Sequence, residues 1–295
     1  MAPTDRNPVQ VQYYAKGKKT TESSGPAPAP LILIHDGGGT TFAYFTIGRL
    51  ERDVWAIHSP TFTSAQPWEG GMDGMAKHYI ELIEKVAGIK GKILLGGWSL
   101  GGYVALTMAH MIASSPASFE ISIDGILMMD SPWLVAGRDL PIGTPQPALI
   151  GIPDLVRKSL DNCERMLYHW ELPQWGRSSG KAFKFSAGNE KFETQPGTVL
   201  YRSLKGDWRA VERTVSHELT EQQALQTPPS GPPPAVMLRD ELLLGWDGKY
   251  NTDMIHAVLE ARSHHYDMFN QLYVDEVTET IKEAIQIIET VLPNE

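Results

Sequence analysis

The sequence predicts an α/β fold with a mostly parallel central sheet, and three patterns support this prediction. Short apolar runs of the kind that forms buried strands recur along the chain. Helical patterns with one apolar face lie between several of these runs, and a further one closes the chain. Strands that alternate with helices form parallel sheets whose crossover helices cover both faces. We therefore expect one large domain with helices on both faces of its sheet.

The strand-like runs lie before and after a long central stretch. The earlier runs are LILIH (31–35), DVWAIH (53–58), KILLGG (92–97) and GILMMD (125–130), and the later ones are AVMLRDE (235–241) and MIHAVLEA (254–261). Residues 1–30 are polar and end in GPAPAP, which predicts a loose N-terminal arm ahead of a domain that spans 31–295. Within that arm, the alternation of VQVQYY (9–14) is typical of an edge strand.

Helical patterns are clearest in three places. One precedes the third strand, and its apolar residues share a face: Met75, Tyr79, Leu82, Ile83 and Val86. A second, LGGYVALTMAHMIA (100–113), follows that strand without a helix breaker after its glycines. The third predicts a closing amphipathic helix with apolar positions at Val274, Val277, Ile281, Ala284, Ile288 and Leu292.

The central stretch, at about residues 131–231, is rich in proline, tryptophan and polar residues. It contains one helical pattern, PDLVRKSLDNCERMLYHW (153–170), and it is closed by TPPSGPPP (227–234). Such a long connection is uncommon in a compact domain unless it has a function of its own. We expect a helical lid inserted over approximately 131–231.

Composition excludes several classes of function. The chain has 295 residues, of which 42% are hydrophobic and 21% are charged, with a formal net charge of -9. An acidic surface disfavours nucleic acid and anionic membranes as partners. The N-terminus shows no basic-then-apolar leader, and no run of about 18 apolar residues occurs, so we expect a cytoplasmic protein. A single cysteine, Cys163, excludes an internal disulfide and a cysteine-based metal cluster.

The candidate nucleophile lies in KILLGGWSLGGYVALTMAH (92–110), which is predicted to form a strand, a sharp turn and a helix. Gly97, Ser99 and Gly101 satisfy the GxSxG pattern of a nucleophile elbow. In that turn the serine hydroxyl projects above the sheet, and glycines flank it because a Cβ would collide there. The alternative is a glycine-rich turn with an incidental serine, which the flanking strand and helix disfavour.

A serine nucleophile needs a histidine to accept its proton and a carboxylate to orient that histidine. The segment SHHYDMFN (263–270) lies between the last strand and the closing helix, so His264 and His265 are the candidate bases, and the residue pattern does not separate them. Asp130 and Asp240 each end a predicted strand. Catalytic groups of open α/β sheets gather at that edge, and we favour Asp130.

Backbone N–H groups are the expected donors to an oxyanion. One is that of Leu100, directly after the serine, and others lie in HDGGGT (35–40), where Gly37 and Gly38 allow the amides to face a carbonyl. The alternative for this loop is a plain or phosphate-type turn, but no phosphate-binding lysine pattern accompanies it. No metal-ligand cluster or dinucleotide motif is evident, so we expect no metal and no dissociable cofactor.

The order and spacing of several segments resemble one protein family. They are LILIHDGGGTTFAYF, VWAIHSPTF, PWEGGMDGMAKHYIELI, LLGGWSLGGYVAL, ILMMDSP, GWDGKY and SHHYDMF. Over roughly residues 28–290 they resemble the thioesterase domains of fungal non-reducing polyketide synthases, and more broadly those of polyketide and nonribosomal peptide synthases. The resemblance implies an α/β-hydrolase fold, with Asp130 and His265 as partners of Ser99. The chain departs from the family pattern at His35, Asp36 and His264.

The resemblance also implies an activity. Ser99 would take an acyl chain from the phosphopantetheine arm of an acyl carrier protein, with the enzyme acting in trans as a free-standing protein. Water would then release an acid, or a hydroxyl of the same chain would release a lactone or pyrone. Candidate liners of the lid and substrate pocket are Trp133, Met166, Trp170 and Trp175, with core packing as the alternative. Rival functions are a carboxylesterase or lipase-like hydrolase of oxygen esters, and a non-catalytic binding protein.

Overall fold

The computed structural model describes seven stretches of the chain, residues 6–14, 26–133, 152–173, 197–203, 243–246, 255–263 and 265–291. Its centre is a seven-stranded sheet. The strands are β1 (Val9–Gln12), β2 (Leu31–Ile34), β3 (Val54–Ile57), β4 (Gly91–Trp98), β5 (Ile121–Met129), β6 (Gly197–Ser203) and β7 (Ile255–Ala261). Four of the predicted runs therefore form the strands β2 to β5, and the run at 254–261 forms β7.

The sheet order is β1-β3-β2-β4-β5-β6-β7. All neighbouring pairs are parallel except β1 and β3, which are antiparallel at the sheet edge. All four side chains of β2 are fully buried, whereas those of β1 are half-buried. This contrast follows from position, because β2 is covered on both faces and β1 is an edge strand. The predicted mostly parallel sheet is confirmed.

In the described part of the chain, four α-helices pack on the sheet or on one another: α1 (Gly71–Glu81), α2 (Leu100–Ser114), α3 (Asp154–His169) and α4 (Val274–Val291). Helices α1 and α2 belong to one hydrophobic core, which includes Ile83, Val104 and Met108. Helix α4 covers the other face of the sheet with Val277 and Ile281. Helices therefore lie on both faces, as predicted. Among the described residues, none of the helices is both long and apolar enough to cross a membrane.

Two predictions from the sequence need correction. Val86 is 62% exposed, although it was assigned to the apolar face with Met75. It lies in a π-helical turn, Leu82–Val86, whose wider hydrogen bonding rotates later side chains away from the face of α1. The second correction concerns the predicted lid at 131–231. Strand β6 lies inside this range and pairs with both β5 and β7, so these residues belong to the central sheet. The predicted strand at 235–241 lies outside the described residues.

The parallel strands bring several polar residues to one edge. His35 and Asp36 follow β2, Ser99 follows β4, and Asp130 follows β5. His265 comes shortly after β7. Because the carboxyl ends of parallel strands lie at the same edge, residues far apart in the chain are brought into one area there. The sheet thus places these candidate site residues at one edge.

Candidate active site

The candidate nucleophile lies at a strained turn. Ser99 has φ 55° and ψ -114°, a combination that side-chain-bearing residues rarely adopt. A Cβ at Gly97 would lie 2.5 Å from the carbonyl carbon of Gly101, and a Cβ at Gly101 would lie 2.4 Å from the oxygen of Ile34. Both positions therefore require glycine. The turn matches the elbow that the sequence predicts.

The backbone of Ser99 is held by neighbouring groups. Its N–H donates to the Met129 carbonyl at 2.9 Å, and its carbonyl accepts from the Ser131 hydroxyl at 2.7 Å. The Ser131 carbonyl in turn accepts from the Trp246 indole N–H at 2.8 Å. These bonds join the end of β4 to the end of β5. They offset the strain of the positive φ, because a strained backbone persists only when its surroundings fix it.

Tyr44 provides a second connection to the elbow. Its buried hydroxyl donates to the Ile34 carbonyl at 2.5 Å and accepts from the Trp98 N–H at 3.0 Å. Burial raises the pKa of this phenol far above its ordinary value, so the group stays neutral. The sequence did not single out this residue, since nothing in TFAYF distinguishes it from the other aromatic side chains.

A histidine and an aspartate are paired beside the elbow. The Nδ1 atom of His265 lies 2.7 Å from Oδ2 of Asp130, which is fully buried, while His265 is 6% exposed. A carboxylate accepts at this bond, so Nδ1 carries the proton and Nε2 is left as the basic nitrogen. The imidazole packs against the ring of Trp98, with centroids 5.5 Å apart. Asp130 has φ 46°, a second non-glycine residue with positive φ at this edge.

The loop after β2 is fixed by its first residues. The carbonyl of Asp36 accepts from His35 Nδ1–H at 2.5 Å and from the Gly39 N–H at 3.0 Å. His35 Nε2 accepts from the hydroxyl of Tyr79 at 2.6 Å, and Ser59 also bonds that hydroxyl. Burial lowers the pKa of His35 to about 4, so its ring is neutral near pH 7.

Helix α3 packs directly on this loop. A Cβ at Gly37 would lie 3.0 Å from a methyl carbon of Leu160, and one at Gly39 would lie 2.7 Å from the hydroxyl of Ser159. Gly39 also has φ 81°, which favours glycine. The close approach therefore explains two of the three consecutive glycines. Leu160 and Ser159 lie within the helical pattern that the sequence placed in the lid.

Asp36 places a carboxyl group against this loop. Burial raises the pKa of its carboxyl to about 6, while a hydrogen bond from the Gly38 N–H and the nearby His265 act in the opposite direction. Both carboxylate oxygens lie 3.2 Å from the point that a Gly38 Cβ would occupy. The sequence marked Asp36 only as a departure from the family pattern.

A narrow cavity adjoins the loop, and a groove lies beyond it. The inner cavity is lined by residues that include His35, Gly37, Leu100 and Cys163. The outer groove is more open and lies between α3 and the start of α1. Trp68, Asn162 and Met166 line both, so the two spaces are adjacent. Within the described ranges, no three His, Cys, Asp or Glu side chains are placed to hold a metal ion.

The remaining predicted site residues have different positions. Met166 lines both cavities, and Trp170 lines the outer groove. Trp133 lines neither and instead packs in the core against Trp246, with ring centroids 5.1 Å apart. Three other predicted residues lie outside the described part of the chain: His264, Asp240 and Trp175. The structure therefore brings Asp130 and His265 together with the elbow that carries Ser99 and Leu100.

Comparison with known proteins gives the family. Residues 31–280 match the model of the alpha/beta hydrolase family. The chain is 93% identical, over 100% of both proteins, to the probable thioesterase lcsE of Purpureocillium lilacinum. It is 39% identical, over 98% of both, to the probable thioesterase KK1J of Curvularia clavata.

Solved structures show the same fold at low identity. A covalent complex of the NocB thioesterase domain with a fluorophosphonate nocardicin G analogue superposes with a TM-score of 0.55 at 17% identity. The match covers 88% of this chain and 95% of that domain. The chain belongs to the alpha/beta hydrolase family, in the group of fungal thioesterases that its sequence relatives represent.

Proposed function

We propose that this protein is a serine thioesterase that acts in trans on an acyl chain carried by an acyl carrier protein. The observation that carries the proposal is the buried 2.7 Å pair of Asp130 and His265, which packs against the residue that precedes Ser99. A serine at positive φ beside an oriented imidazole is the arrangement that acyl transfer requires. The sequence relatives, which are named as thioesterases, support a thioester as the substrate.

The first step forms an acyl-enzyme. The Ser99 oxygen attacks the thioester carbonyl carbon while its proton passes to Nε2 of His265. Asp130 holds the other ring nitrogen and stabilises the imidazolium that forms. The oxyanion receives the Leu100 N–H and an amide of the loop at 37–38. When the carbon–sulfur bond breaks, His265 returns the proton to the departing pantetheine thiolate.

The second step releases the product. His265 now removes a proton from water, or from a hydroxyl or enol of the same chain, and that oxygen attacks the acyl carbon. The bond between Ser99 and the acyl group then breaks, and the serine oxygen takes the proton back from His265. The product is an acid when water attacks, and a lactone or pyrone when the chain attacks itself. The inner cavity offers room for few waters, and the half-buried Met166 lines it and the groove beyond. An enclosed space of this kind favours an internal nucleophile that is held close to the ester carbon. The partner is a carrier protein that delivers its pantetheine arm to this edge of the sheet.

One experiment tests both the nucleophile and the substrate class. The wild type, Ser99→Ala and the control Ser114→Ala are exposed to a fluorophosphonate and analysed by intact mass. Ser114 is exposed at the far end of α2, which makes it a matched serine outside the site. We expect one added label in the wild type and in the control, and none in Ser99→Ala.

In the same preparations, turnover of a pantetheine thioester is compared with that of the matching oxygen ester, and products are identified by mass. We expect the thioester to be preferred, with a free acid or a cyclic ester as the product. Undiminished labelling of Ser99→Ala contradicts the nucleophile. Preference for the oxygen ester favours the carboxylesterase alternative, and no turnover of either favours a binding protein.

A further inference from the structure

Asp36 is a half-buried carboxyl group that the mechanism above does not use. Its two carboxylate oxygens are turned back over the glycine loop, 3.2 Å from the point where a Gly38 Cβ would be. The Gly38 N–H donates a hydrogen bond to this carboxylate. Under the proposed function, that N–H is one of the donors available to the oxyanion. The carboxylate therefore holds one of the donors that the proposed mechanism offers to the oxyanion.

The two acceptors compete for the same donor. A developing oxyanion and an ionised carboxylate are both negative, and like charges at short range repel strongly in a site that excludes water. A neutral carboxyl lacks that charge and is a much weaker acceptor. Occupation by an ionised group should therefore slow acylation, because the oxyanion gains its stabilisation only after the carboxylate is displaced.

We propose that Asp36 gates the oxyanion loop: its ionised carboxylate retains the Gly38 N–H, and acylation is fast only when this carboxyl is neutral or displaced. The inference rests on the proposed function. Asp36 acts here as a positioning residue, because it works through Gly38. The neutral form arises when the carboxylate takes up one proton from solvent.

Hydrogen bonds fix the main chain of Asp36, so only its side chain can move in the proposed gate. The carbonyl of Asp36 is held by both His35 and Gly39, so the main chain stays fixed while the carboxyl rotates. Tyr44 and Cys163 both interact with the Asp36 charge, and burial keeps the phenol and the thiol neutral by raising their pKa values. Neither of these two side chains therefore supplies a positive charge that would stabilise the ionised carboxylate.

The other charged groups nearby act less directly. Glu164 lies on α3 and affects the charge state of Cys163, as Asp36 does. His265 interacts with Asp36 through space, whereas its direct bond is to Asp130. The direct hydrogen bond of the Asp36 carboxylate is to the loop, at the Gly38 N–H. Since burial raises its pKa to about 6, both forms are populated near neutral pH.

The test is the rate of Ser99 labelling by a small neutral fluorophosphonate, whose phosphoryl oxygen enters the oxyanion position. Second-order rate constants are measured from pH 5 to pH 8 for the wild type, Asp36→Asn, Asp36→Ala and the control Glu164→Gln. The ratio of each Asp36 variant to the wild type should be near one at pH 5. It should rise to about tenfold at pH 8, which is less than the loss of an oxyanion donor causes. Expressed the other way, the wild-type rate constant divided by that of each variant should fall with a midpoint near pH 6.

The outcomes separate this inference from the function on which it rests. If the wild type is labelled at Ser99 but both Asp36 ratios are flat across pH, the gate is wrong and the nucleophile stands. A ratio that falls below one as pH rises also overturns the gate, because Asp36 would then support His265. Absence of labelling in the wild type overturns the proposed function itself. The Glu164→Gln ratio should stay near one throughout.

Discussion

Two histidine–aspartate pairs lie at the same edge of the sheet, and they differ in the atoms that are joined. In one pair, Nδ1 of His265 bonds the side-chain carboxylate of Asp130. In the other, Nδ1 of His35 bonds the backbone carbonyl of Asp36, the next residue in the chain. In the first pair, Nε2 of His265 is the nitrogen that can act as a base. In the second pair, both nitrogens of His35 are hydrogen-bonded, because Tyr79 bonds Nε2. The same residue types therefore serve acid–base chemistry in one place and loop support in the other.

The two histidines also differ in the charge that their surroundings favour. A carboxylate that accepts directly from an imidazole stabilises the imidazolium of the transition state. His35 has only a neutral carbonyl and a phenol as partners, so burial holds its pKa at about 4 and keeps it uncharged. Substitutions in the Asp130–His265 pair and substitutions of His35 should thus affect different measured quantities. The pair at Asp130 should control rate, and the buried ring of His35 should control stability.

The largest effect is expected at Asp130. Asp130→Asn keeps the shape but removes the charge and favours the wrong tautomer of His265. We expect kcat for thioester turnover to fall by about 10⁴-fold, as is typical when the orienting carboxylate of such a group is replaced by an amide. The measurement is steady-state turnover of a pantetheine thioester.

Asp240→Asn is the matched control for Asp130, since Asp240 was the alternative carboxylate. It should leave kcat within a few-fold of the wild type. A large loss in Asp240→Asn together with near-normal turnover in Asp130→Asn would reverse the assignment. The same logic separates the adjacent histidines, because His265→Gln should lose turnover whereas His264→Gln should retain it.

A smaller effect is expected from the titration of His35. The unfolded chain protonates this residue near pH 6.5, but the folded chain does so only near pH 4. Between these values the unfolded state binds more protons, so the free energy of unfolding decreases as pH falls. The full loss is about 3 kcal/mol. Asp36 acts in the opposite direction over part of the range, because folding raises its pKa.

The contribution of His35 can be isolated with His35→Gln. Denaturant unfolding at pH 7 and pH 4 should show that this variant loses about 3 kcal/mol less than the wild type over that interval. His169→Gln, at an exposed position on α3, is the matched control and should follow the wild type. Parallel pH curves for the wild type and His35→Gln would contradict a buried neutral His35.

Much of the fold followed from the sequence, because the signals were local. Runs of adjacent apolar residues predicted the strands β2 to β5 and β7. Periodic apolar residues predicted the helices α2 to α4. Strand β6 was missed because GTVLYRS has only three consecutive apolar residues and lies in a stretch rich in polar residues and proline. Val86 was misplaced because a π-helical turn leaves no signal in an apolar repeat.

The site was predictable to the extent that chemistry required particular residues after particular strands. Ser99 could be named from its elbow and Asp130 from the end of its strand, whereas the family resemblance was needed to favour His265 over His264. Tyr44, Ser131 and Tyr79 could not be named, since they act through hydrogen bonds to backbone or to groups distant in the chain. Tyr79 in particular was assigned correctly to a buried helical face, and that pattern conceals what its hydroxyl bonds.

The smallest effect is expected at Tyr79, and it tests whether the role of His35 is purely structural. Tyr79→Phe keeps the ring in the core but leaves Nε2 of the buried His35 without the donor it now has. A buried acceptor that loses its partner costs about 1 kcal/mol or somewhat more, so thermal and denaturant unfolding should show a loss of that size. Turnover per folded molecule should change little, since Tyr79 reaches the loop indirectly, through His35 and Ser59. If turnover instead falls as steeply as in Asp130→Asn, the second pair takes part in the chemistry and the division between the two pairs is wrong.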